Sequence, residues 1–342
     1  MAVTTVRTDS SLSERAPAVP PVPAQPIKLL IDGVWRTDVI DTPELRRRRM
    51  EERKRWFRDT ISDEPGAAFP VEAGRYHLYV SYACPWAHRA ILYRRLKRLE
   101  DVVGMSVLHP KWGGPQGWRF GNTPMSTPDL VENRQYLYEV YQGSKPDFTG
   151  RATVPVLYDT RTRRIVNNES REIMRMLDGA FNRWGKGCQN FYPDNLAAEI
   201  EALNKIILEN VAEGVYRAGF AQTQERYDKA IASLFDTLDE LEARVGRQQF
   251  LLGNRVTESD WHLFPVLVRF DLVYFPILRC NLKRLADYPA LSAYMQRLYR
   301  LPGIAQTVKP DQILMHYDEP ELPINPNIVP VRPVDPAPRA QG

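Results

Sequence analysis

The stretch YHLYVSYACPWAHRAIL, residues 76–92, decides the fold. Its first five residues are strand formers that alternate only partly between apolar and polar, which indicates a buried strand. Pro85 suits a first helical position, because the amide that it lacks would have no helical acceptor there, and apolar residues follow at helical spacing. Residues 102–108 then predict a second strand. A strand, a helix and a strand in this order imply a crossover connection and therefore a parallel pair.

Helix and strand signals continue to alternate up to about residue 177. The segment 109–130 is crowded with glycine, proline and tryptophan, and we interpret a loop of this length as functional. The other elements expected in this half are a helix around 132–141, an antiparallel strand pair at 153–158 and 164–167, and a helix at 169–177. This order predicts an α/β domain in which helices cover both faces of a mixed sheet.

Strand signals disappear after about Phe191, and long helical periodicities replace them. The second domain is therefore predicted to be all helical, and Thr257 to Asp260 has the form of a helix N-terminal capping box. We expect four parts along the chain: a flexible Pro-rich leader (1–40), the α/β domain (41–188), the helical domain (189–317) and a Pro-rich C-terminal extension (318–342). The extension should be loose or extended against the surface.

The bulk composition narrows the function classes. In a chain of 342 residues, 43% hydrophobic residues with 26% charged ones describe a globular protein, and no apolar run approaches the roughly 18 residues of a membrane helix. The net charge of +4 is small for this length, which gives no case for nucleic-acid binding. Three widely spaced cysteines fit neither a disulfide framework nor a zinc site, so a reducing cytoplasm is expected.

The segment 45–58 is unusually basic, with four consecutive arginines at 46–49 followed by acids and further bases. Its spacing allows mixed-charge pairs along a helix, and a solvated helix is the interpretation that we favour. A nuclear or nucleic-acid role is the alternative, since basic blocks of this length are unspecific.

Cys84 is the candidate nucleophile. It lies between the predicted strand and helix, so its sulfur should face unpaired helix-start amides and the positive end of the helix dipole, which predicts a depressed thiol pKa. No second cysteine follows at the spacing of a dithiol motif, so an external thiol would have to complete the chemistry. The alternative is a buried cysteine that acts as a small hydrophobe, which is our prediction for Cys188 and Cys280.

Two motifs downstream could bind a peptide-like ligand. Val154-Pro155 enters a strand, and its peptide bond is either cis, which would free the Val154 backbone for a ligand, or an ordinary trans bond. Asn167-Asn168-Glu169-Ser170 precedes a helix and forms either a carboxylate site or only a helix cap. Each motif is weak alone, but their order behind a strand, a cysteine and a helix is specific.

With these motifs the chain resembles the glutathione transferases, and within them the Xi class, the glutathionyl-hydroquinone reductases. The resemblance spans roughly residues 30–330. It rests on CPWAHR (84–89), GWRF (117–120), TVPVL (153–157), NES (168–170), GVYRAGFA (214–221), LVRFD (267–271) and HY (316–317). It implies a thioredoxin-like α/β N-terminal domain with a mixed four-stranded sheet, followed by the all-α C-terminal domain of a glutathione transferase.

The resemblance also implies a glutathione site. Trp118 would stack along the tripeptide, and Arg119 would meet one of its carboxylates. The backbone of Val154 would pair with the cysteinyl portion, while Glu169 and Ser170 would hold the γ-glutamyl end. Glutathione would be the cosubstrate, no metal would be required, and the protein would be a cytoplasmic homodimer.

The remaining roles concern the chemistry. Cys84 would be the catalytic cysteine. Tyr216 and Tyr317 would face the hydroquinone, because a tyrosine hydroxyl donates to a phenolic oxygen while its ring covers an aromatic substrate. Either tyrosine could supply the acid. The expected activity is the reduction of glutathionyl-hydroquinones through a mixed disulfide between Cys84 and glutathione. An omega-like thioltransferase or a glutathione-dependent reductive dehalogenase would share the same cysteine and peptide site. A conjugating transferase is disfavoured by the cysteine, and a non-catalytic assembly module is the remaining alternative.

Overall fold

The computed structural model describes residues 26–112, 114–185, 189–319 and 322–331. The strands are β1 (Ile27–Ile31), β2 (Val34–Val39), β3 (Tyr76–Val80), β4 (Gly104–Val107), β5 (Val156–Asp159) and β6 (Arg164–Asn167). The helices are α1 (Pro43–Arg55), α2 (Pro85–Leu96), α3 (Leu137–Ser144), α4 (Ser170–Gly179), α5 (Ala197–Ile206), α6 (Gly214–Gly219), α7 (Gln224–Val245), α8 (Glu258–Arg269), α9 (Pro289–Tyr299) and α10 (Pro310–Tyr317).

The central sheet has the strand order β4-β3-β5-β6. β3 and β4 run parallel, whereas β5 is antiparallel to both β3 and β6. Every residue of β3 and β5 is buried, as expected for inner strands covered on both faces. The prediction of a mixed four-stranded sheet is therefore confirmed, and the sheet presents the end of β3 directly to the segment that carries Cys84.

The helix α2 begins at Pro85, with Cys84 as the residue before it. Eight of its residues are buried, and α2 packs against both α4 of the first domain and α8 of the second. Burial on two sides fixes the start of this helix between the two domains, because a shift of α2 would open both interfaces at once.

Residues 27–39 form an antiparallel hairpin rather than the end of a flexible leader, so the prediction of a leader through residue 40 was too long. The turn is Asp32-Gly33, both with positive φ, which is the geometry of the tightest hairpin turns. Gly33 is required there, since a Cβ would collide with the carbonyl of Pro146. Leu30 is fully buried and pairs with Gly150, which ties the hairpin to the first domain. The leader prediction for residues 1–25 lies outside the described residues.

The helix α1 follows the hairpin and buries none of its residues. Thr42 caps it, because its Oγ1 accepts the amide of Leu45 at 3.2 Å, and Pro43 occupies the first turn. The expected mixed-charge helix is thus present, but apolar burial does not hold it in place.

The second domain is built of α5 to α10, in agreement with the prediction of an all-helical domain. Two wide π turns interrupt it, at Ile207–Ala212 and Phe270–Tyr274, and the second one turns the chain directly after Arg269. The capping box is confirmed: Asp260 accepts the Thr257 amide at 2.7 Å. Within the described part of the chain, no helix combines the length and apolar character needed to cross a membrane.

The described part of the C-terminal extension lies extended on the second domain. Arg279 donates to the carbonyl oxygen of Asn325 at 2.8 Å, and the amide of Val331 donates to the hydroxyl of Tyr227 at 3.1 Å. Ile328 of this segment is buried. Residues 322–331 are therefore extended along the surface of the second domain.

Candidate functional site

The thiol of Cys84 is buried at the junction of the two domains, with a residue exposure of 7%. Its Sγ lies 3.8 Å from the carbonyl oxygen of Val154, within the range of a weak S–H···O contact. The peptide bond that follows, Val154-Pro155, is cis, which resolves the alternative left open by the sequence. The structure therefore brings the cysteine and the Val-Pro motif into direct contact.

Two opposing effects act on the pKa of Cys84. Burial raises the pKa of the thiol, whereas the amides of Ala87 and Trp86 and the charges of Arg269 and Arg89 lower it. The net effect is a pKa above the ordinary cysteine value, so the predicted depressed pKa is wrong for the structure described here. The helix-start amides do act as expected, but desolvation outweighs them.

This balance predicts the pH dependence of alkylation. Because a raised pKa favours the neutral thiol at neutral pH, the rate of Cys84 modification by iodoacetamide should rise with a midpoint above about 8.5, the ordinary thiol value. The rate is measured by mapping the modified peptide, with a cysteine-containing peptide in the same buffer as the control. A midpoint below that of the control peptide would contradict the dominance of burial.

Arg269 fixes the backbone immediately before Cys84. It is fully buried, and it donates to the carbonyl oxygens of Ala83 at 3.2 Å and Tyr82 at 2.8 Å. A third hydrogen bond, of 3.0 Å, joins Arg269 to Nδ1 of His88. Burial and the charge of Arg269 lower the pKa of His88 well below its usual value. His88 is therefore neutral and accepts through Nδ1. A cation from the second domain thus holds the cysteine loop of the first.

Glu169 and Ser170 lie at the start of α4, as the sequence indicated. Burial alone would raise the pKa of the Glu169 carboxyl, but the charges of Arg53, Arg58 and Arg89 outweigh the effect of burial. The net pKa is lowered, so Glu169 is a carboxylate at neutral pH. Ser170 is buried, and its Oγ accepts Nη1 of Arg89 at 3.3 Å.

Arg89 connects this helix start to Cys84. Its guanidinium lies 4.6 Å from the centre of the Trp86 ring and donates to the carbonyl oxygen of His262 at 3.3 Å. Burial lowers its pKa to about 10, partly offset by Glu169 and other anions, so it remains a cation at neutral pH. The same charge therefore reaches the Cys84 sulfur and the Ser170 hydroxyl.

Val154, Glu169 and Ser170 line one cavity of about 580 Å3 between the two domains. Its charged lining is mainly basic and consists of Arg46, Arg49, Arg53, Arg58, Arg89, Arg151 and Arg171, with Glu169, Glu172 and Glu213. The size and the excess of cations suit a small ligand that carries carboxylates. Cys84 itself lies behind the lining, next to Trp86 and Val154.

Tyr216 and Tyr317 come together across 101 residues of sequence, with their hydroxyl oxygens 2.5 Å apart. Tyr274 completes the group, because its hydroxyl lies 3.4 Å from that of Tyr216 and 3.5 Å from that of Tyr317. Burial raises the pKa of all three, so they are neutral donors at physiological pH. The charge of Cys84 contributes to the raised pKa of Tyr274, so the tyrosine group lies within electrostatic reach of the cysteine.

Trp118 and Arg119 are placed differently. Trp118 stacks on the ring of His316 at 5.5 Å, and His316 in turn meets the ring of Tyr317 edge-on at 5.2 Å, so Trp118 adjoins the tyrosine group. Arg119 is exposed and lines a separate pocket with Tyr136. Arg119 does not belong to the lining of the cavity at Val154 and Glu169, and its contact with a carboxylate of the ligand stays a prediction.

Cys280 is fully buried, and burial alone raises its pKa, as expected for a structural cysteine. Cys188 lies outside the described residues. Among the residues that are described, no three or more His, Cys, Asp or Glu side chains are grouped to hold a metal ion.

Several residues of the site had no predicted role. Arg269 is the last residue of α8, and Tyr274 ends the π turn that follows. Helical periodicity places Arg269 on a buried face of α8, and a buried arginine is a signal that the sequence offers. Arg46, Arg49 and Arg53 were interpreted as a solvated face. Their spacing of three and four residues puts them on one side of α1, and that side lines the cavity.

Two family models match the chain. The model described as the glutathione S-transferase N-terminal domain matches residues 83–180, and that of the glutathione S-transferase C-terminal domain matches residues 224–297. The first match begins one residue before Cys84 and includes both Val154 and Glu169.

Similar proteins cover nearly the whole chain. Glutathionyl-hydroquinone reductase PcpF of Sphingobium chlorophenolicum is 43% identical over 91% of this chain and 97% of its own. Glutathionyl-hydroquinone reductase YqjG of Escherichia coli is 41% identical over 87% and 92%, and its glutathione-bound structure superimposes with a TM-score of 0.77 over 84% and 90%. The Xi class glutathione transferase of Natrialba magadii is 43% identical and superimposes with a TM-score of 0.80 over 85% of this chain and 88% of its own.

Proposed function

Because the chain belongs to the glutathione transferase family, in its Xi class, we propose that it reduces glutathionyl-hydroquinones to hydroquinones with Cys84 as the nucleophile. The observation that carries this proposal is the position of Cys84. Its sulfur contacts Val154 and adjoins a cavity rich in arginine, and the group of three buried tyrosines lies within electrostatic reach of it. A glutathionyl-hydroquinone has the matching parts, an anionic peptide and a phenolic ring joined at one sulfur.

In the first half of the reaction, the Cys84 thiolate attacks the glutathione sulfur of the substrate. A disulfide between Cys84 and glutathione forms, and the bond between that sulfur and the aromatic carbon breaks. The electron pair of the broken bond goes to the ring carbon, which takes up a proton and leaves as the hydroquinone. The ring is reduced by two electrons, and the two sulfurs are oxidised to the disulfide.

In the second half, the thiolate of a free glutathione attacks the glutathione sulfur of the mixed disulfide. Oxidised glutathione leaves, and the Cys84 thiolate is restored, so that the sum is one adduct and one glutathione converted to hydroquinone and oxidised glutathione. Arg269 and Arg89 favour the thiolate as product and as leaving group, because both charges lower the pKa of Cys84.

The peptide would lie in the cavity, with its cysteinyl portion along the Val154 backbone and its γ-glutamyl end at Glu169 and Ser170. Glu169 is a carboxylate that can accept an ammonium group, and the Ser170 amide at the helix start can donate to a carboxylate. Trp118 would cover the peptide near the tyrosine group. Arg119, exposed beside Trp118, would meet a carboxylate of the peptide only at the edge of this site.

The tyrosine group predicts a selective effect on hydroquinone release. Replacing Tyr317 by Phe removes a neutral donor of the tyrosine group, and we expect the turnover number for a glutathionyl-hydroquinone to fall by about 100-fold. Tyr216→Phe should act in the same direction, and the variant with the larger fall identifies the acid. The measurement is hydroquinone release under saturating glutathione.

The control is Tyr299→Phe, which removes a hydroxyl from a partly exposed tyrosine of α9. It should leave turnover unchanged. A simple mixed disulfide of glutathione should react equally well with all three variants, because its cleavage needs no proton on carbon. If Tyr317→Phe and Tyr216→Phe slowed this disulfide as much as the hydroquinone adduct, an omega-like thioltransferase would fit better than a hydroquinone reductase.

The cellular setting is proposed from the family resemblance and the composition. The protein would act in the cytoplasm, where glutathione is abundant and cysteines stay reduced, and would form a homodimer. Glutathione and the glutathionyl-hydroquinone are its proposed small-molecule partners.

A further inference from the structure

The helix α1 presents its arginines to the cavity in a regular pattern. Arg46, Arg49 and Arg53 recur at intervals of three and four residues, and all three line the cavity together with Met50 from the same face. Arg47, on another face of the helix, does not belong to the lining. The basic segment therefore divides into a face that meets the cavity and a face that meets solvent.

The position of α1 has no apolar explanation, because the helix buries none of its residues. The contact that joins it to α4 is an ion pair of 3.0 Å between Arg53 and Glu169, which are 116 positions apart in sequence. Arg53 is 64% exposed and Glu169 27%, and an ion pair of such exposure contributes little in water. A ligand with charges of both signs can therefore break this ion pair and bind Arg53 through its negative group and Glu169 through its positive group.

The two charges that α1 and α4 bring together match the γ-glutamyl end of glutathione. That end is an amino acid, with an ammonium and a carboxylate on the same carbon. Glu169 is a carboxylate at neutral pH and can accept the ammonium, while the guanidinium of Arg53 offers a forked pair of donors to the carboxylate. The amide of Ser170 can donate to the second oxygen of the same carboxylate.

The neighbouring charges favour a carboxylate beside Arg53. Within the described residues, Arg46 and Arg49 share one ion-pair partner, Asp41, at 3.2 Å and 2.6 Å, and its single negative charge balances only one of the two arginines. Arg58 is 4.0 Å from Glu172 and donates to the side chain of Asn168. A carboxylate bound at Arg53 would thus add a missing negative charge to this side of the cavity.

We propose that Arg53 on α1 is a specificity-determining residue that binds the α-carboxylate of the γ-glutamyl group. When glutathione enters, Arg53 leaves its ion pair with Glu169 and pairs with this carboxylate instead. This inference rests on the proposed function, because it takes glutathione as the ligand. It assigns to the basic segment the task of distinguishing glutathione from thiols and peptides that lack an α-carboxylate at this end.

The test measures binding by calorimetry on the full chain, so that it does not depend on turnover. The ligands are glutathione and the analogue in which hydrogen replaces the γ-glutamyl α-carboxylate. Wild type should bind glutathione about tenfold more tightly than the analogue, and Arg53→Gln should lose about tenfold in affinity for glutathione while binding the analogue as wild type does. Arg53→Lys should retain part of the affinity.

The matched control is Arg47→Gln, which removes the same charge from the same helix outside the cavity and should behave as wild type. If Arg53→Gln kept the wild-type preference for glutathione, or bound glutathione more tightly because Glu169 is freed, the inference would be wrong while the proposed function stood. Failure of the wild type to bind glutathione at all would overturn both.

Discussion

We expect replacement of Cys84 by serine to abolish the reduction of glutathionyl-hydroquinones. The change keeps the size of the side chain at a position that is buried, so the fold should persist. A serine hydroxyl at this site is a far weaker nucleophile than a thiolate, and it cannot form the disulfide that stores the two electrons between the half-reactions. We expect turnover to fall on the order of 10³-fold or more, measured as hydroquinone released per enzyme.

Cys280→Ala serves as the control for this experiment. Cys280 is buried even more completely than Cys84, and its Sγ lies 3.7 Å from the carbonyl oxygen of Val215, within the second domain. Its replacement should leave turnover within about twofold of wild type, because its sulfur contacts the carbonyl oxygens of Val215 and Leu278 and no side chain of the site. Substantial reductase activity in Cys84→Ser would show that the nucleophile is another residue or glutathione itself.

The second large effect concerns Arg269, the buried cation that holds the cysteine loop. Arg269→Ala would leave the carbonyl oxygens of Tyr82 and Ala83 without this donor in a buried environment and would remove a large, well-packed side chain. We expect the free energy of unfolding to fall by about 3 to 5 kcal/mol, measured by urea denaturation at pH 7. Because Arg269 also lowers the pKa of Cys84, alkylation of the remaining folded protein at neutral pH should slow.

Arg300→Ala is the matched control, since Arg300 is exposed and its contact is a bond of 3.4 Å to Gln296. It should change the free energy of unfolding by less than about 0.5 kcal/mol. Arg269→Met, which keeps most of the volume, separates the loss of hydrogen bonds from the loss of packing. A fall of less than 1 kcal/mol in both Arg269 variants would show that the loop is held by other contacts.

The parts of the fold that depend on local signals could be predicted from the sequence. The buried strand before Cys84 and the proline after it mark the start of α2 within one residue, and Thr257 with Asp260 marks that of α8. The helix expected around residues 132–141 instead begins at Leu137, because Glu139 accepts the amide of Tyr136 and so fixes the first turn there.

The hairpin at residues 27–39 was missed although its turn carries a strong signal. Asp32-Gly33 between two short apolar runs is a typical two-residue hairpin turn, but the Pro-rich stretch before it led to the whole segment being interpreted as a leader. Whether such an isolated pair of strands forms depends on what it packs against, here Gly150 and its neighbours.

The candidate site could be predicted only in part. Cys84, Val154, Glu169 and Ser170 were identified because short local motifs carry them, and their proximity followed from the known order of such motifs. Packing between distant segments brings Arg53 into contact with Glu169 and Tyr274 into contact with Tyr317. Local motifs do not reveal these contacts. The raised pKa of Cys84 also escaped prediction, since the degree of burial decides it and a helix-start position does not reveal burial.

The most direct test of the account is the mass of the intact protein after incubation with a glutathionyl-hydroquinone in the absence of free glutathione. We expect one glutathione to be added per chain, located on the peptide that contains Cys84, together with one equivalent of hydroquinone in solution. Addition of free glutathione should then restore the original mass and release oxidised glutathione. Hydroquinone release without any adduct on Cys84, or an adduct on Cys188 or Cys280 instead, would contradict the proposed nucleophile.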